Sequence, residues 1–129
     1  DQVIKVAVEL LAMGCYEISL GDTLGSANPD STKKLLSELL SVFQTKELAL
    51  HFHDTQGKAI ENIATASEFG ITTFDSSIAG LGGCPYAPGA KGNVATETVV
   101  DFLESKGFRT GIDVENLKIA AQFARSLGQ

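Results

Sequence analysis

The two histidines of this sequence, His51 and His53, lie two residues apart at the end of the apolar segment 48–52. Side chains alternate across a β-strand, so this spacing places both imidazoles on one face. Two imidazoles on one face can hold a cation between them, and the alternative is a pair of hydrogen-bonded core histidines. The chain has no other histidine, and both lie at a predicted strand's C-terminal end. The pattern therefore favours part of a divalent-metal site.

Two aspartates end predicted strands on the same side of the sheet as the histidines. Asp22 follows the β-prone segment 15–20, and Asp54 follows His53 directly. Each carboxylate is suited to accept a hydrogen bond from a ligand N–H group, and each is equally suited to begin a helix. Both interpretations stay open on these residues alone.

Glycines dominate the segment from Gly80 to Asn93, which we call the glycine-rich loop. Gly80, Gly82 and Gly83 allow positive φ angles and close backbone approach, as a mobile lid or an anion-cradling turn requires. The loop lacks the G-x-x-x-x-G-K-[ST] pattern, which excludes a nucleotide P-loop. We therefore predict a loop that covers or binds a substrate.

Two further residues of this loop are candidates for chemistry. Cys84 lies among glycines, away from any apolar periodicity. It is either a small, partly buried hydrophobe or a nucleophile or proton donor, and its position favours the chemical role. Asn93 precedes a predicted helix, so an N-cap is a strong alternative to any role in binding.

Helices and strands alternate along the chain, and this order must position those residues. Apolar spacing and turn residues predict three strands separated by helices, followed by two more helices. Such alternation indicates right-handed βαβ units and a parallel sheet. Three strands cannot close a core alone, so we predict an α/β fold, the C-terminal part of a (β/α)8 TIM barrel with an extra C-terminal helix. A small open doubly wound sheet is the alternative. The predicted strands are 15–20, 48–52 and 71–78, and the predicted helices are 3–13, 29–43, 58–69, 94–106 and 113–127.

Each predicted strand has one polar face. In the second strand Leu48, Leu50 and Phe52 oppose the face that carries His51 and His53. Polar side chains are costly to bury unless they are paired or bind something. Polar faces on three successive strands therefore predict a shared site. The other residues assigned to the apolar faces are Tyr16, Ile18, Leu20, Phe74 and Ile78. Those assigned to the polar faces are Glu17, Ser19, Ala49, Thr73, Asp75 and Ser77.

Composition narrows the functional classes. The chain has 129 residues, 43% of them hydrophobic, and a net charge of −6. This apolar content excludes disorder, and the negative charge argues against nucleic acid or an anionic membrane as a partner. No apolar run reaches the length of a membrane span. Two cysteines without a framework suggest a reducing compartment.

Several motifs resemble the 3-hydroxy-3-methylglutaryl-CoA lyases, members of the metal-dependent lyase and aldolase barrel superfamily. The resemblance spans nearly the whole chain in the same order. Its glycine-cysteine-proline loop is specific to the lyases, whereas His-x-His-Asp alone is compatible with sister aldolases and acyl-CoA-dependent synthases. The matching segments are GCYEISLGDT at 14–23, HFHDT at 51–55, DSSIAGLGGCPYA at 75–87 and GNVATE at 92–97.

The resemblance implies a role for each candidate residue. His51, His53 and Asn93 would be ligands of Mg²⁺ or Mn²⁺, with His51 also part of the catalytic site. Cys84 would close over the substrate and take part in proton transfer, and Asp22 would be a nearby active-site carboxylate. The implied reaction is the retro-Claisen cleavage of 3-hydroxy-3-methylglutaryl-CoA to acetyl-CoA and acetoacetate. The implied partner is an acyl-CoA substrate. The implied enzyme is a homodimer, cytoplasmic in a bacterium and in the mitochondrial matrix of a eukaryote.

One part of the family pattern has no match here. The family's aspartate ligand and catalytic arginine belong to an Asp-Arg-Glu motif on the first barrel strand, upstream of Asp1. Residues 1–129 are therefore predicted to be a partial barrel without its N-terminal strands, inactive alone and weakly metal-binding. Two rivals stay open: a related metal-dependent 4-hydroxy-2-oxoacid aldolase, and a non-catalytic fragment that acts through association.

Overall fold

The computed structural model describes residues 2–83 and 91–127, which fold as alternating helices and strands. The predicted order of elements is confirmed across these residues. Two short 3₁₀ turns, Thr45–Glu47 and Ile78–Gly80, join the regular elements. These are α1 (Gln2–Ala12), β1 (Ile18–Asp22), α2 (Pro29–Leu39), β2 (Leu48–Phe52), α3 (Ala59–Glu68), β3 (Thr73–Asp75), α4 (Thr96–Ser105) and α5 (Val114–Leu127).

The three described strands form one parallel sheet in the order β1-β2-β3, as predicted. In the register, Gly21 lies beside His51 on one side, and Asp75 lies beside it on the other. Because parallel strands end at the same edge of a sheet, the residues that follow each strand meet there. Within the described ranges β1 and β3 each pair with another strand on one side only. No helix in these ranges has the length and apolar character to cross a membrane.

The core lies on the face of the sheet that the helices cover. Leu48, Leu50 and Phe52 are buried in it, which confirms the predicted apolar face of β2. Phe74 of β3 packs against the same cluster. The opposite face of the sheet carries the histidine pair, as the alternation predicts. Helix residues complete this core cluster, and its fully buried helix residues are Leu36, Leu39, Ala59, Ile63 and Ala66.

The first strand begins later than predicted and continues to Asp22. The N–H of Cys15 donates to the carbonyl of Leu10 and closes the end of α1 after the positive-φ Gly14. A residue whose N–H caps a helix is unavailable for a strand ladder. Tyr16 consequently lies outside the strand, with 87% of its surface exposed, and the prediction that it belongs to the apolar face was wrong.

The second helix is shorter than its apolar spacing predicts. Asn28 caps it, since its side chain accepts from the Ser31 N–H and the Ser31 hydroxyl accepts from the Asn28 N–H. The helix ends at Leu39, and Phe43 reaches the core from a turn in which its N–H donates to the Leu39 carbonyl. Apolar spacing indicates which residues are buried. Here the buried residues continue to Phe43, beyond the last helical residue, so the spacing predicted a helix that is too long.

The third strand ends at Asp75, three residues before its predicted end. Beyond it, Ser77 exchanges hydrogen bonds with a different segment: its N–H donates to the Val94 carbonyl and its carbonyl accepts from Thr96. Ala79 then adopts a left-handed conformation with φ 56°, which ends any extended run. Ile78 therefore belongs to a turn at the start of the glycine-rich loop.

Candidate metal centre

His51, His53 and Asn93 meet at the carboxyl-terminal edge of the sheet. His53 follows β2 and pairs with Asn93 in an isolated antiparallel bridge. Hydrogen bonds on either side hold this bridge, from the Asp54 N–H to Gly92 and from the Val94 N–H to Phe52. Directly opposite residues of an antiparallel pair project to the same side. The rings of His51 and His53 lie 5.2 Å apart between centroids, so all three predicted ligands are neighbours.

Two polar atoms of this group are buried without a hydrogen-bond partner in the part of the chain that the structure describes. These are Nδ1 of His53 and Oδ1 of Asn93. The Asn93 amide nitrogen donates to the Leu81 carbonyl at 2.9 Å, which turns its oxygen away from the loop. A buried polar atom left unpaired costs about 1–3 kcal/mol. A bound cation would satisfy both atoms, so these residues fit the metal that the sequence predicts.

Asn93 does not cap a helix. Helix α4 begins three residues later at Thr96, and its N-cap position is Ala95. The side-chain nitrogen of Asn93 instead donates to the glycine-rich loop, and its backbone pairs with His53. The N-cap alternative is therefore wrong. The ligand role that the resemblance implies stays a prediction, supported by an amide oxygen without a hydrogen-bond partner in the described part of the chain.

His51 contacts a carboxylate of the neighbouring strand, and that carboxylate contacts a serine of the other strand. Its Nδ1 contacts Oδ1 of Asp75 on β3, and Oδ2 of Asp75 accepts a hydrogen bond from the Ser19 hydroxyl on β1 at 2.8 Å. Since Nδ1 faces the carboxylate, Nε2 is the nitrogen left for a cation. Sequence reasoning placed Asp75 and Ser19 on the polar faces without a role. The available signal was parity, because both are polar residues on the face that carries His51.

Asp22 and Asp54 both bind backbone N–H groups. Asp22 accepts from Ser26 at 3.0 Å and from Ala27 at 2.9 Å, and so shapes the turn after β1. Asp54 accepts from the Ala59 N–H at 3.1 Å at the start of α3. The helix-start interpretation is therefore observed for Asp54. The catalytic role of Asp22 stays a prediction for a carboxylate that already holds two backbone bonds.

The two ends of the glycine-rich loop meet beside Asn93. The Asn93 N–H donates to the Gly82 carbonyl at 3.2 Å. Gly80 and Gly82 have positive φ angles of 69° and 98°. A Cβ on Gly92 would lie 1.9 Å from the Gly82 carbonyl oxygen, which no side chain can tolerate. Glycine is thus required at the loop's base, whereas Cys84 lies outside the described residues.

The three predicted ligands offer a small set of donors for a divalent cation. No group of three or more His, Cys, Asp or Glu residues suited to a metal occurs in ranges 2–83 and 91–127. The available donors are two imidazoles and one amide oxygen, from His51, His53 and Asn93. Imidazole nitrogens and amide oxygens are both donors that divalent cations accept. The three residues fit part of a divalent-metal site, which water, substrate or other residues would complete.

Comparison with known proteins identifies relatives of the whole chain. The HMGL-like family model matches residues 1–124. The hydroxymethylglutaryl-CoA lyase YngG of Bacillus subtilis is 49% identical over 95% of this chain, which covers 41% of that protein. The chain thus spans about two fifths of the length of this curated relative. The matching relatives include bacterial and mitochondrial enzymes.

Solved structures agree with the sequence comparison. The HMG-CoA lyase of Brucella melitensis superposes with a TM-score of 0.94 at 46% identity, covering 97% of this chain and 44% of that one. An HMG-CoA lyase of Acinetobacter baumannii, in complex with coenzyme A and 3-methylmalate, gives 0.87 at 40% identity, covering 97% and 41%. The predicted partial TIM barrel is confirmed by these matches. The chain belongs to the HMGL-like family.

Proposed function

We propose that this chain is the C-terminal part of a divalent-metal-dependent hydroxymethylglutaryl-CoA lyase. The reaction would be the cleavage of 3-hydroxy-3-methylglutaryl-CoA to acetyl-CoA and acetoacetate. The observation that carries the proposal is a pair of buried atoms, Nδ1 of His53 and Oδ1 of Asn93, that have no hydrogen-bond partner among residues 2–83 and 91–127 and lie beside the base of the glycine-rich loop. Family membership and identities near 49% to named lyases support it.

The protein's own groups divide the work of this reaction. His51, His53 and Asn93 would hold Mg²⁺ or Mn²⁺ at the sheet edge. When bound, the cation lowers the energy of negative charge developing on the substrate's C3 oxygen and orients the bond that breaks. A base takes the C3 hydroxyl proton, the bond between C2 and C3 breaks, and an acid protonates the acetyl-CoA enolate. We assign the carboxylate of Asp22 and the thiol of Cys84 to these two proton transfers.

The glycine-rich loop would cover the reacting atoms. Its base lies against Asn93, through the bonds to Leu81 and Gly82, so it lies beside the proposed cation site. A loop that excludes water keeps the enolate from premature protonation. Gly80, Gly82 and Gly83 would supply the backbone freedom that closure needs.

The acyl-CoA substrate and the assembly are part of the same proposal. The Acinetobacter baumannii relative was solved with coenzyme A and 3-methylmalate, which supports an acyl-CoA substrate for this chain. The site would belong to a homodimer, cytoplasmic in a bacterial source and in the mitochondrial matrix of a eukaryotic one.

The unsatisfied surfaces of this chain support its place in a larger barrel. Within the described residues β1 and β3 each have an unpaired edge. An apolar groove of about 660 Å³ runs from α1 to α2 beside β1, lined in part by Val3, Val6 and Leu10. Three strands with open edges do not close a barrel of eight. We propose that the other strands of the same protein pair with these edges and supply the aspartate and arginine of the site.

The test is a product assay on the intact protein that contains this chain. We expect acetoacetate from 3-hydroxy-3-methylglutaryl-CoA, abolished by a chelator and restored by Mg²⁺ or Mn²⁺. Asn93→Ala should lower turnover at least tenfold, whereas Asn116→Ala on the exposed side of α5 should leave it unchanged. Pyruvate release from a 4-hydroxy-2-oxoacid would instead establish the aldolase alternative. Full lyase turnover by residues 1–129 alone would contradict the partial-barrel part of the proposal.

A further inference from the structure

Three side chains form a chain of contacts across the three strands. Ser19 of β1 donates to Oδ2 of Asp75 on β3 at 2.8 Å, and Oδ1 of the same carboxylate contacts Nδ1 of His51 on β2. Asp75 is the register partner of His51, so the sheet itself sets their separation. Both carboxylate oxygens are therefore engaged, one by each neighbour.

This arrangement selects one form of the His51 ring. A neutral imidazole carries its proton on either nitrogen, and the nitrogen that donates a hydrogen bond leaves the other with a lone pair. An ionised carboxylate only accepts hydrogen bonds, so the Asp75 contact favours the neutral tautomer that carries its proton on Nδ1 and its lone pair on Nε2. Ser19 in turn fixes the rotation of the carboxylate.

We propose that Asp75 is a positioning residue for His51, and that Ser19 acts on His51 through Asp75. This inference rests on the proposed function in one respect, namely that His51 is a cation ligand. The contact with Asp75 would orient the His51 ring so that Nε2 faces the Mg²⁺ or Mn²⁺ site before the cation binds. Preorganised ligands lose less freedom on binding, and their carboxylate partners commonly change metal affinity by about 10–100-fold when removed.

The first experiment examines the metal-free protein. Nitrogen-15 NMR of the histidine-labelled intact protein reports the protonation of each ring nitrogen, and loss of signals in His51→Gln assigns the ring. We expect a single form with the proton on Nδ1 and a mixture of the two forms in Asp75→Ala. A wild-type neutral ring that carries its proton on Nε2 and its lone pair on Nδ1 would overturn the inference.

The second experiment measures Mn²⁺ affinity by calorimetry or electron paramagnetic resonance. Asp75→Ala should weaken binding about 10–100-fold, whereas Thr73→Ala, on the same face of the same strand, should not. Ser19→Ala should weaken it about fivefold, as loss of one hydrogen bond predicts, and Ser19→Thr should retain wild-type affinity. In the Asp75→Ala background, Ser19→Ala should change affinity less than twofold.

The outcomes separate this inference from the proposed function. Mn²⁺ affinity in Asp75→Ala equal to that of Thr73→Ala would overturn the inference, as would an equal cost of Ser19→Ala in both backgrounds. If these couplings are observed but no acetoacetate is released, the positioning role stands and the lyase assignment falls. If acetoacetate is released while Asp75→Ala binds Mn²⁺ like the wild type, the lyase assignment stands and the positioning role falls.

Discussion

Replacing Glu97 by alanine should destabilise the protein, because this carboxylate joins two distant parts of the fold. Its Oε2 accepts from the Ala79 N–H at 2.8 Å, at the start of the glycine-rich loop, and its Oε1 pairs with Arg125 of α5 at 2.7 Å. Ala79 has a φ of 56°, in the left-handed region that disfavours a side chain. Such a conformation costs about 1–2 kcal/mol and persists where neighbouring contacts hold it.

The magnitude follows from the two contacts. A hydrogen bond to a charged acceptor contributes about 1.5–3 kcal/mol. The ion pair contributes less, about 0.2–1 kcal/mol, since 59% of the Arg125 side chain is exposed to solvent although Glu97 itself is 15% exposed. We therefore expect Glu97→Ala to lower the free energy of unfolding by about 2 kcal/mol. Arg125→Ala should cost about 0.5 kcal/mol, because it removes the ion pair and keeps the bond to Ala79.

The assay is urea unfolding of the intact protein and its variants. Glu97→Gln should fall between the two substitutions above, since an amide oxygen can still accept from Ala79 while its nitrogen faces Arg125. Glu115→Ala is the matched control, because its pair with Lys118 joins side chains that are 82% and 62% exposed, and its effect should stay within about 0.5 kcal/mol. A Glu97→Ala effect equal to that control would refute the reasoning, as would an equally large cost for Arg125→Ala.

Two further predictions concern the loop base and the second helix. Gly92→Ala should weaken Mn²⁺ binding by the intact protein, because its Cβ would meet the Gly82 carbonyl and push Asn93 away. The control is Gly83→Ala, since a Cβ there meets nothing within 4 Å among the described residues. Similar affinity in both variants would count against a tight loop base. Asn28→Ala should lower the free energy of unfolding by about 1 kcal/mol, since it removes the cap of α2. The exposed Asn116→Ala should change it by less than about 0.5 kcal/mol, and equal urea midpoints for the two variants would contradict the capping role.

Local sequence carried enough information for most of the fold. Apolar spacing predicted the helices to within a few residues, and alternation along 48–52 predicted which face of β2 is buried. These predictions succeed because each depends on a single element and its own period. The errors occur at ends, as in the strand that stops at Asp75 and the helix that stops at Leu39. Beyond Asp75 the backbone bonds of Ser77 go to the distant residues Val94 and Thr96, whereas beyond Leu39 the chain turns through local hydrogen bonds to residues 36–39.

The histidine pair illustrates the same division within the candidate site. His51 and His53 share a face by strand geometry alone, so their spacing in the sequence was sufficient to predict half of a cation site. No pattern in the residues identified Asn93 as a ligand, because its place before a predicted helix fitted an N-cap equally well. Only the resemblance to a family suggested that role. The backbone bridge between His53 and Asn93, which lies 40 residues later, is what places Asn93 beside the histidines.

Tertiary structure alone decided how these ligands are held. The contact of Asp75 with His51 depends on the register between β2 and β3, and the anchor of Ala79 depends on a glutamate that lies 18 residues later on α4. Such contacts join residues that no local period relates, and they exist only once the strands have paired and the helices have packed. The sequence by itself thus predicted which residues are candidates for binding a cation, and the packed fold decided which of their nitrogen and oxygen atoms lack a hydrogen-bond partner among residues 2–83 and 91–127.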